Sequence, residues 1–447
     1  MMGRVVMKFG GTSVATAERI QAVADIVASR IERRPLVVVS AVGVSEAGEV
    51  KITDQLEAMA ELAHAHKPYQ ENLDGIRVKH EEVLRKLGLS WQLISPVWSK
   101  LKVALKNLDR PYEEYLDEIF SFGERLSSNI VAAVLNDRGT PARCVDVDEL
   151  DIITDENFQD ATVSEENEKK ILGKFRKEKK TLVLPGFVGH TADGRVTTLG
   201  RGGSDYTAAL VGAAFKAGEI QIWTDVSGMR SADPRLVPDA ERLEVISFDE
   251  AKELAAFGAR VLHPKTIEPA MRKNIPVVIL NSFKPGDEGT TIHAEHIKQN
   301  KVIKAIAHKR GVDMLSIEST RMLGASGYMA RIFTIFATYG IDIEVMATTE
   351  VSISMTLNQS KNLDKVIEEL KEFANVTLEP GQTIICIVGE GMRHTPGVSG
   401  RVFSTLGTAG VNVEMIAQGG SEINITFLVD DKDADRAIKA LYYACIS

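Results

Sequence analysis

The sequence predicts an α/β chain, a mainly parallel sheet sandwiched by helices, followed by two small α+β modules. Three observations lead there. Short β-branched runs alternate with longer helical patterns through roughly the first 300 residues. Those runs are apolar throughout rather than alternately, as in strands covered on both faces. The last third of the chain repeats itself.

The first run, RVVMKF near Val5, ends on Lys8 and leads into Gly10 and Gly11. Thr16 is the expected N-cap of a helix whose Ile20, Val23, Val27 and Ile31 recur at helical spacing. PLVVVSAV near Val38 is the second strand. From Thr53 to about Leu116 the pattern is helical and rich in Glu, Lys and His, with Pro68, Pro96 and Pro111 as punctuation, and it reads as a helical insertion or lid. TLVLPGFVG near Val183, EIQIWTDV near Ile222 and IPVVIL near Val278 supply further strands.

Beyond a link expected between Ile292 and Ile303, GYMARIFTIFATYGIDIEVM from Gly327 matches GVSGRVFSTLGTAGVNVEMI from Gly397 at a constant offset of 70 residues. The pairs Arg331 and Arg401, Phe333 and Phe403, and Glu344 and Glu414 are identical, and EVSISMTL then matches EINITFLV. Each unit reads strand, glycine loop, helix, glycine turn, strand, hairpin, strand and helix, an order that suits a small sheet with helices on one face. The expected division is 1–298 with the insertion at 53–116, then 299–380 and 381–447.

Composition narrows the functional classes. Fifty-three basic against sixty-two acidic residues give a net charge of -9, which disfavours non-specific attraction to nucleic acid or an anionic membrane, so an anionic ligand must be held by a local pocket. Three scattered cysteines, Cys144, Cys386 and Cys445, offer neither a disulfide framework nor a zinc spacing. With no signal-peptide pattern and no apolar run of roughly 20 residues, a reducing, cytoplasmic setting is expected.

Four segments could carry chemistry. Lys8 followed by Gly10 and Gly11 at a strand's C-terminal end is either a tight turn with an exposed lysine or a phosphate cradle of backbone N–H groups. No GxxxxGK[ST] P-loop is present, so a nucleotide would need another architecture. In TLGRGGSDYTAALVG, Ser204 is the expected N-cap of an apolar helix, Asp205 lies on its first turn, and Arg201 could grip a carboxylate in a fork. Glu124 in FSFGERLSS is placed at a helix start, where the dipole alone would favour it, or it pairs with Arg201 to complement a zwitterion. The loop WTDVSGMRSADPR carries Thr224, Asp225, Arg230 and Arg235, either as a solvated turn or as a nucleotide-contacting loop.

Together KFGGTSVA, SFGERLSS, LGRGGSDYTAA, TDVSGMRSADPR and FGARVLHPKT closely resemble aspartokinases, of the amino-acid kinase fold, and the repeat resembles the paired ferredoxin-like ACT domains that follow that kinase domain in the monofunctional, lysine-sensitive type. The resemblance implies ATP as co-substrate with Mg²⁺, L-aspartate as acceptor, and 4-phospho-L-aspartate as product. It implies that Lys8 contacts the transferring phosphate, that Gly10 and Gly11 cradle it, and that Ser40 and Gly43 form the second strand's active-site loop. Thr53, Glu124, Arg201 and Ser204 would bind aspartate, and Asp205 would organise the catalytic charges. Thr224, Asp225, Arg230, Arg235 and Arg260 would face the nucleotide, with Arg230 standing where relatives often have Tyr and Arg260 where they often have Lys. In the first ACT domain, Met322, Tyr328, Met329, Asp342, Ile343, Glu344, Thr348 and Thr349 would line an effector site for L-lysine, with Glu344 meeting an ammonium. Association into a homodimer or a dimer of dimers through the ACT domains is also implied. Two alternatives stay open: a kinase of the same fold acting on another substrate such as glutamate, and a non-catalytic amino-acid sensor.

Overall fold

The protein was analysed as a computed structural model that describes residues 3–46, 48–164, 167–258, 264–294, 301–323, 326–358 and 361–446. Two compact units emerge: 1–229 with 244–248 and 262–295, and 230–243 with 249–261 and 296–447. Segments 230–243 and 249–261, expected with the kinase part, therefore group with the C-terminal modules. Each unit is described by itself.

The first unit is built on an eight-stranded sheet of order β3-β4-β2-β1-β7-β9-β10-β8. Its strands are β1 (Val5–Phe9), β2 (Leu36–Val39), β3 (Ala142–Cys144), β4 (Thr181–Pro185), β7 (Glu219–Thr224), β8 (Val245–Ser247), β9 (Val277–Asn281) and β10 (Thr290–His293), while β5 (Val188–His190) and β6 (Val196–Thr198) form a separate hairpin. All pairings in the large sheet are parallel except β9 with β10. The central strands are buried along nearly their whole length, as apolar runs without alternation require. Ile292 and His293 belong to β10, so the link expected from Ile292 starts later.

Helices cover both faces. One face packs Val5, Met7 and Phe9 against α1 (Ala17–Ala28) and the helical insertion, made of α2 (Ile52–His64), α3 (Gln70–Leu87), α4 (Ser95–Ala104) and α5 (Tyr112–Asp137). Thr16 caps α1 by accepting from Arg19 N at 3.3 Å. The three prolines sit at the breaks: Pro68 between α2 and α3, Pro96 in the first turn of α4, and Pro111 as N-cap of α5. Two short helices follow, α6 (Val147–Leu150) and α7 (Asn167–Phe175), before α8 (Gly203–Phe215) on the other face. Gly212 lets α8 lie close on the sheet, since a Cβ there would stand 2.6 Å from Ile220 Cδ1. The unit closes with α10 (Pro264–Arg272), after α9 (Phe248–Ala256), most of which falls in the second unit.

The second unit carries a six-stranded antiparallel sheet of order β12-β13-β11-β14-β16-β15. In chain order it contains β11 (Ala305–Glu318), α11 (Tyr328–Thr338), β12 (Ile343–Thr348), β13 (Ser352–Leu357), α12 (Leu363–Lys371), β14 (Asn375–Val388), α13 (Val398–Thr408), β15 (Met415–Ala417), β16 (Asn424–Asp430) and α14 (Ala434–Cys445). The repeat is kept in detail: Gly327 and Gly397 precede their helices at φ 86° and 85°, and Gly340 and Gly410 end them at 64° and 67°, a conformation glycine adopts without penalty.

The boundary between modules is not linear, however. β11 and β14 are long strands shared by both, each interrupted near a glycine, Gly311 or Gly381, with positive φ. Residues 305–309 pair with the C-terminal half of β14, and Ile306 packs in the core of the second repeat, whereas Leu315 and Ile317 pack in the core of the first. The second module thus borrows its edge strand from ahead of the first, and the expected division at residue 380 fails for residues 305–309.

Candidate active site

In a parallel sheet, ligands bind beyond the strands' carboxyl ends, where neighbouring connections leave in opposite directions. β1 is such a point, with β2 on one side and β7 on the other. Alternation along β1 turns Met7 and Phe9 to the α1 side and Val6 and Lys8 to the α8 side. Lys8 therefore meets the first turn of α8, and its Nζ lies 2.7 Å from Asp205 Oδ1, both side chains nearly buried.

Glycines bring the loops together. A Cβ on Gly43 would sit 2.4 Å from the carbonyl carbon of Gly11, and one on Gly11 3.1 Å from Ala41 O, so the turns after β1 and β2 touch through bare backbone. Gly43 N donates to Gly11 O at 3.1 Å. After β4, Gly186 leaves room for Ser204, whose Cβ would otherwise be 2.6 Å away, and Ser40 Oγ donates to Ser204 Oγ at 3.0 Å. Ser204 is the second residue of α8 rather than its cap: the N-cap is Gly202, left-handed at φ 76° and without a side chain to offer. Gly203 N and Asp205 N donate to Gly200 O and Gly202 O at 3.1 and 2.9 Å, so of the first three N–H groups of α8 that of Ser204 is left without an acceptor among the described residues.

Glu124 departs from its expected place too. It sits in the middle of the 26-residue α5, so no helix-end dipole holds it. Gly123 packs on Ala41, and Glu124 Oε1 accepts from Ala41 N at 3.0 Å, while Oε2 is buried with no partner among the described residues. Burial pushes the Glu124 carboxyl up to about 8, opposed by the Ala41 N–H and by the charge of Lys8. The buried Glu124 carboxyl thus keeps one oxygen without a hydrogen-bond partner among the described residues, a cost that a donor arriving with a ligand would relieve.

The remaining expected residues are placed as follows. Thr53 lies in the first turn of α2, its hydroxyl 3.4 Å from Asp54 Oδ1. Arg201 is exposed in the turn before α8 and has no ion-pair partner among the described residues. Thr224 ends β7, its carbonyl accepting from Ser282 N at 2.8 Å, and Asp225 follows it at the surface. Arg230 and Arg235 fall in the second unit, where Arg230 donates to Ala240 O at 2.9 Å and Arg235 forks onto Asp233. Arg260 lies outside the described residues.

In the first repeat, Met322, Tyr328, Met329 and Ile343 pack at the margin of one core, and Tyr328 OH donates to Phe373 O at 3.2 Å. Asp342, Thr348 and Thr349 are exposed. Glu344 is ion-paired with Lys309, leaving its Oε2 without a hydrogen-bond partner among the described residues.

Residue types alone did not disclose the Ala41 N–H or Ser127, whose hydroxyl donates to Ser40 O at 2.7 Å. Neither did they disclose Asp117, which accepts from Gln159 N, Thr198 N and Thr198 Oγ1 at 2.7 to 2.9 Å and so anchors the strand leading to Arg201. Burial raises the Asp117 carboxyl, against those three bonds. The spacing of seven residues between Asp117 and Glu124, two helical turns, was the one available signal.

A parallel sheet with a lysine and glycine loops at its switch point, facing the first turn of a helix, defines an amino-acid kinase, and the amino acid kinase family model matches residues 3–281. An ACT domain model matches residues 385–444. The chain is 39% identical to aspartokinase 1, chloroplastic, of Arabidopsis thaliana over 98% of its own length and 79% of the relative's. Two structures of Escherichia coli aspartokinase III, one in complex with aspartate and ADP and one with lysine and aspartate, match 99% of this chain and 100% of theirs at 33% identity, with TM-scores of 0.82 and 0.83. This chain belongs to the aspartokinase family.

Proposed function

We propose that the protein transfers the γ-phosphoryl group of ATP to the β-carboxylate of L-aspartate, giving 4-phospho-L-aspartate and ADP, and that L-lysine restrains it through the ACT modules. The observation that carries the substrate reading is the buried Glu124, with an unpaired oxygen beside the glycine loops. A carboxylate there suits the ammonium of an amino acid, with Arg201 left to grip its α-carboxylate. The solved E. coli relative that holds aspartate and ADP supports the same pair of substrates.

The chemistry asks for positioning rather than proton removal. The β-carboxylate, with an ordinary pKa near 3.9, is ionised at neutral pH and can attack the γ-phosphorus in line, while the bond to the bridging oxygen breaks and ADP takes the electron pair. Lys8 and the N–H groups of Gly11 and Ser204 meet the charge on the three equatorial oxygens, while Gly10, whose N–H donates to Trp223 O at 3.2 Å, shapes the turn that brings them close. Asp205 holds Lys8 in place rather than acting as a base.

Mg²⁺ would lessen the repulsion between the phosphates and the incoming carboxylate. Among the described residues no group of three or more His, Cys, Asp or Glu forms a cage for it, which fits an ion that arrives on nucleotide oxygens with one or two protein carboxylates near it, Asp205 being the acidic side chain at hand. The nucleotide roles of Thr224, Asp225, Arg230, Arg235 and Arg260 and association through the ACT modules are part of the same reading, supported by the motif likeness. Trapping of the acyl phosphate with hydroxylamine, with aspartate and glutamate compared and lysine titrated in, tests it. A hydroxamate formed from aspartate and suppressed by lysine is expected, and no hydroxamate from either amino acid would refute it.

A further inference from the structure

Asp117 lies on α5 seven residues before Glu124, two turns away and on the same face of the helix. At that spacing the two positions stand about 10 Å apart along the axis. The Asp117 side chain is fully buried, and each of its bonds comes from a neutral donor: Gln159 N and Thr198 N on Oδ2 at 2.9 and 2.8 Å, and the Thr198 hydroxyl on Oδ1 at 2.7 Å. Burial of a carboxylate opposite neutral donors costs free energy. In return, one side chain grips two backbone segments at once.

Both segments lead to Arg201. Thr198 ends β6, and Leu199 and Gly200 are all that separate it from Arg201. Leu199 N donates to Phe187 O at 2.9 Å, and Gly200 O accepts from Gly203 N at 3.1 Å, so the backbone is tied on the way from Thr198 to α8. Gln159 belongs to a loop that buttresses the same turn. Ala161 N donates to Thr198 O at 3.0 Å, and a Cβ on Gly200, which is left-handed at φ 70°, would stand 2.5 Å from Asp160 Oδ1. Arg201 itself is exposed and has no ion-pair partner among the described residues. Its aim therefore depends on the backbone that carries it, and Asp117 fixes that backbone to α5.

We infer that Asp117 is a positioning residue for Arg201 and that, by tying the carboxylate grip to the helix that carries Glu124, it sets the preference for aspartate over its longer homologue glutamate. This role rests on the aspartate kinase reading of the site. Aspartate and glutamate present the same ammonium and the same α-carboxylate. With Glu124 and Arg201 both held, Cα is held too, and side-chain length alone decides where the attacking carboxylate falls. Glutamate overshoots by one methylene, and a misplacement of about 1 Å costs about 10²-fold in rate. A slack Arg201 would let that end of the substrate recede and accommodate the longer side chain.

Steady-state hydroxamate formation by the full chain tests this, with aspartate and glutamate as acceptors. The proteins compared are the wild type, Asp117→Ala, Asp117→Asn, Thr198→Val, Arg201→Ala and the double variant Asp117→Ala with Arg201→Ala. Asp117→Ala should raise the KM for aspartate by about tenfold or more, as for a weakened charge-assisted grip, and leave the KM for ATP at the wild-type value. The ratio of kcat/KM for aspartate over glutamate should fall by about tenfold in the same variant. Asp117→Asn keeps an acceptor for both N–H groups and offers its amide to the Thr198 hydroxyl, so it should restore most of the aspartate KM. Because Asp117 acts through Arg201, the double variant should be no worse than Arg201→Ala alone. Thr198→Val removes one of the three bonds and should shift KM and preference in the same direction by less, which decides the matter even if Asp117→Ala fails to fold. An aspartate KM unchanged in both Asp117→Ala and Thr198→Val, an unchanged preference between the two acceptors, or additive losses in the double variant overturns the role. A wild type that forms no hydroxamate from either amino acid would instead overturn the kinase reading, and this role with it.

Discussion

Lys8 Nζ lies 2.7 Å from the Asp205 carboxylate, which joins the end of the first strand to the first turn of α8 as one charged unit. With Lys8 as the cation that meets developing charge on the transferred group, Lys8→Ala should raise the barrier by roughly 3 to 4 kcal/mol, on the order of 10²- to 10³-fold in turnover. Asp205→Asn, which frees Lys8 without removing it, should cost less. Single-turnover acyl phosphate formation separates the two variants, and near wild-type turnover of Lys8→Ala would remove the lysine from the mechanism.

Glu124 gives a pH dependence with a definite sign. In the free enzyme its carboxyl is pushed up to about 8, so below that pH it is largely protonated and cannot pair as an anion with the substrate ammonium. The kcat/KM for aspartate should climb with pH towards a plateau above about 8, and Glu124→Gln should be low and flat over that range. Stability moves the other way. A group whose folded value is raised from 4.5 to about 8 lends stability below 4.5 that is lost as pH rises through about 8, so wild type should lose ground to Glu124→Gln across that window.

How much of this was legible in the sequence depends on the kind of feature. The parallel sheet, the place of Lys8 at a strand end and the glycine turns of the repeat follow from local patterns, because apolar runs and glycines act through their own backbone. Glu124 was misplaced at a helix start because Gly123 looked like a break; its neighbour Ala41 explains the glycine as a close contact within a continuous helix. Ser204 lost the capping role to Gly202, since a left-handed glycine can begin a helix without a side-chain acceptor. The borrowed strand 305–309 was invisible for another reason. Pairing across 75 or more residues leaves no local mark, and a linear division assumes that modules follow one another.

Gly43 presses on Gly11 so closely that even a methyl group has no place. Its Cβ would stand 2.4 Å from Gly11 C and 2.5 Å from Gly11 O, both backbone atoms that cannot swing away. Gly43→Ala should therefore part the two loops that frame the phosphate position and lower turnover by about 10²-fold, the scale of a misplacement near 1 Å, while circular dichroism stays that of the wild type. Turnover unchanged in this variant would show that the two loops need not touch.

In the second unit Lys304 and Glu250 form an almost fully enclosed ion pair at 2.8 Å, and Glu250 also accepts from Glu390 N at 2.8 Å. Lys304→Met takes the cation away from this buried carboxylate and should lower stability by roughly 1.5–3 kcal/mol, the scale of a hydrogen bond to a charged group, whereas Lys304→Arg, which keeps the charge, should lose less. Urea unfolding of the three proteins checks this, and a Lys304→Met protein as stable as the wild type would contradict it.

Lys309 already places an ammonium on Glu344, the carboxylate expected to receive the lysine effector. An incoming lysine must either share Glu344, whose second oxygen has no hydrogen-bond partner among the described residues, or displace Lys309. In both cases the resident cation weakens the newcomer, by like-charge repulsion or by competition for the same anion. Lys309→Met should therefore lower the lysine concentration for half-inhibition, by about fivefold if the partly exposed pair is worth about 1 kcal/mol, while Glu344→Ala should raise it. Turnover without lysine should stay at the wild-type level in both variants. Inhibition curves that shift the same way for Lys309→Met and Glu344→Ala would mean that Lys309 supports the effector, and that Glu344 holds the module's shape rather than the ligand.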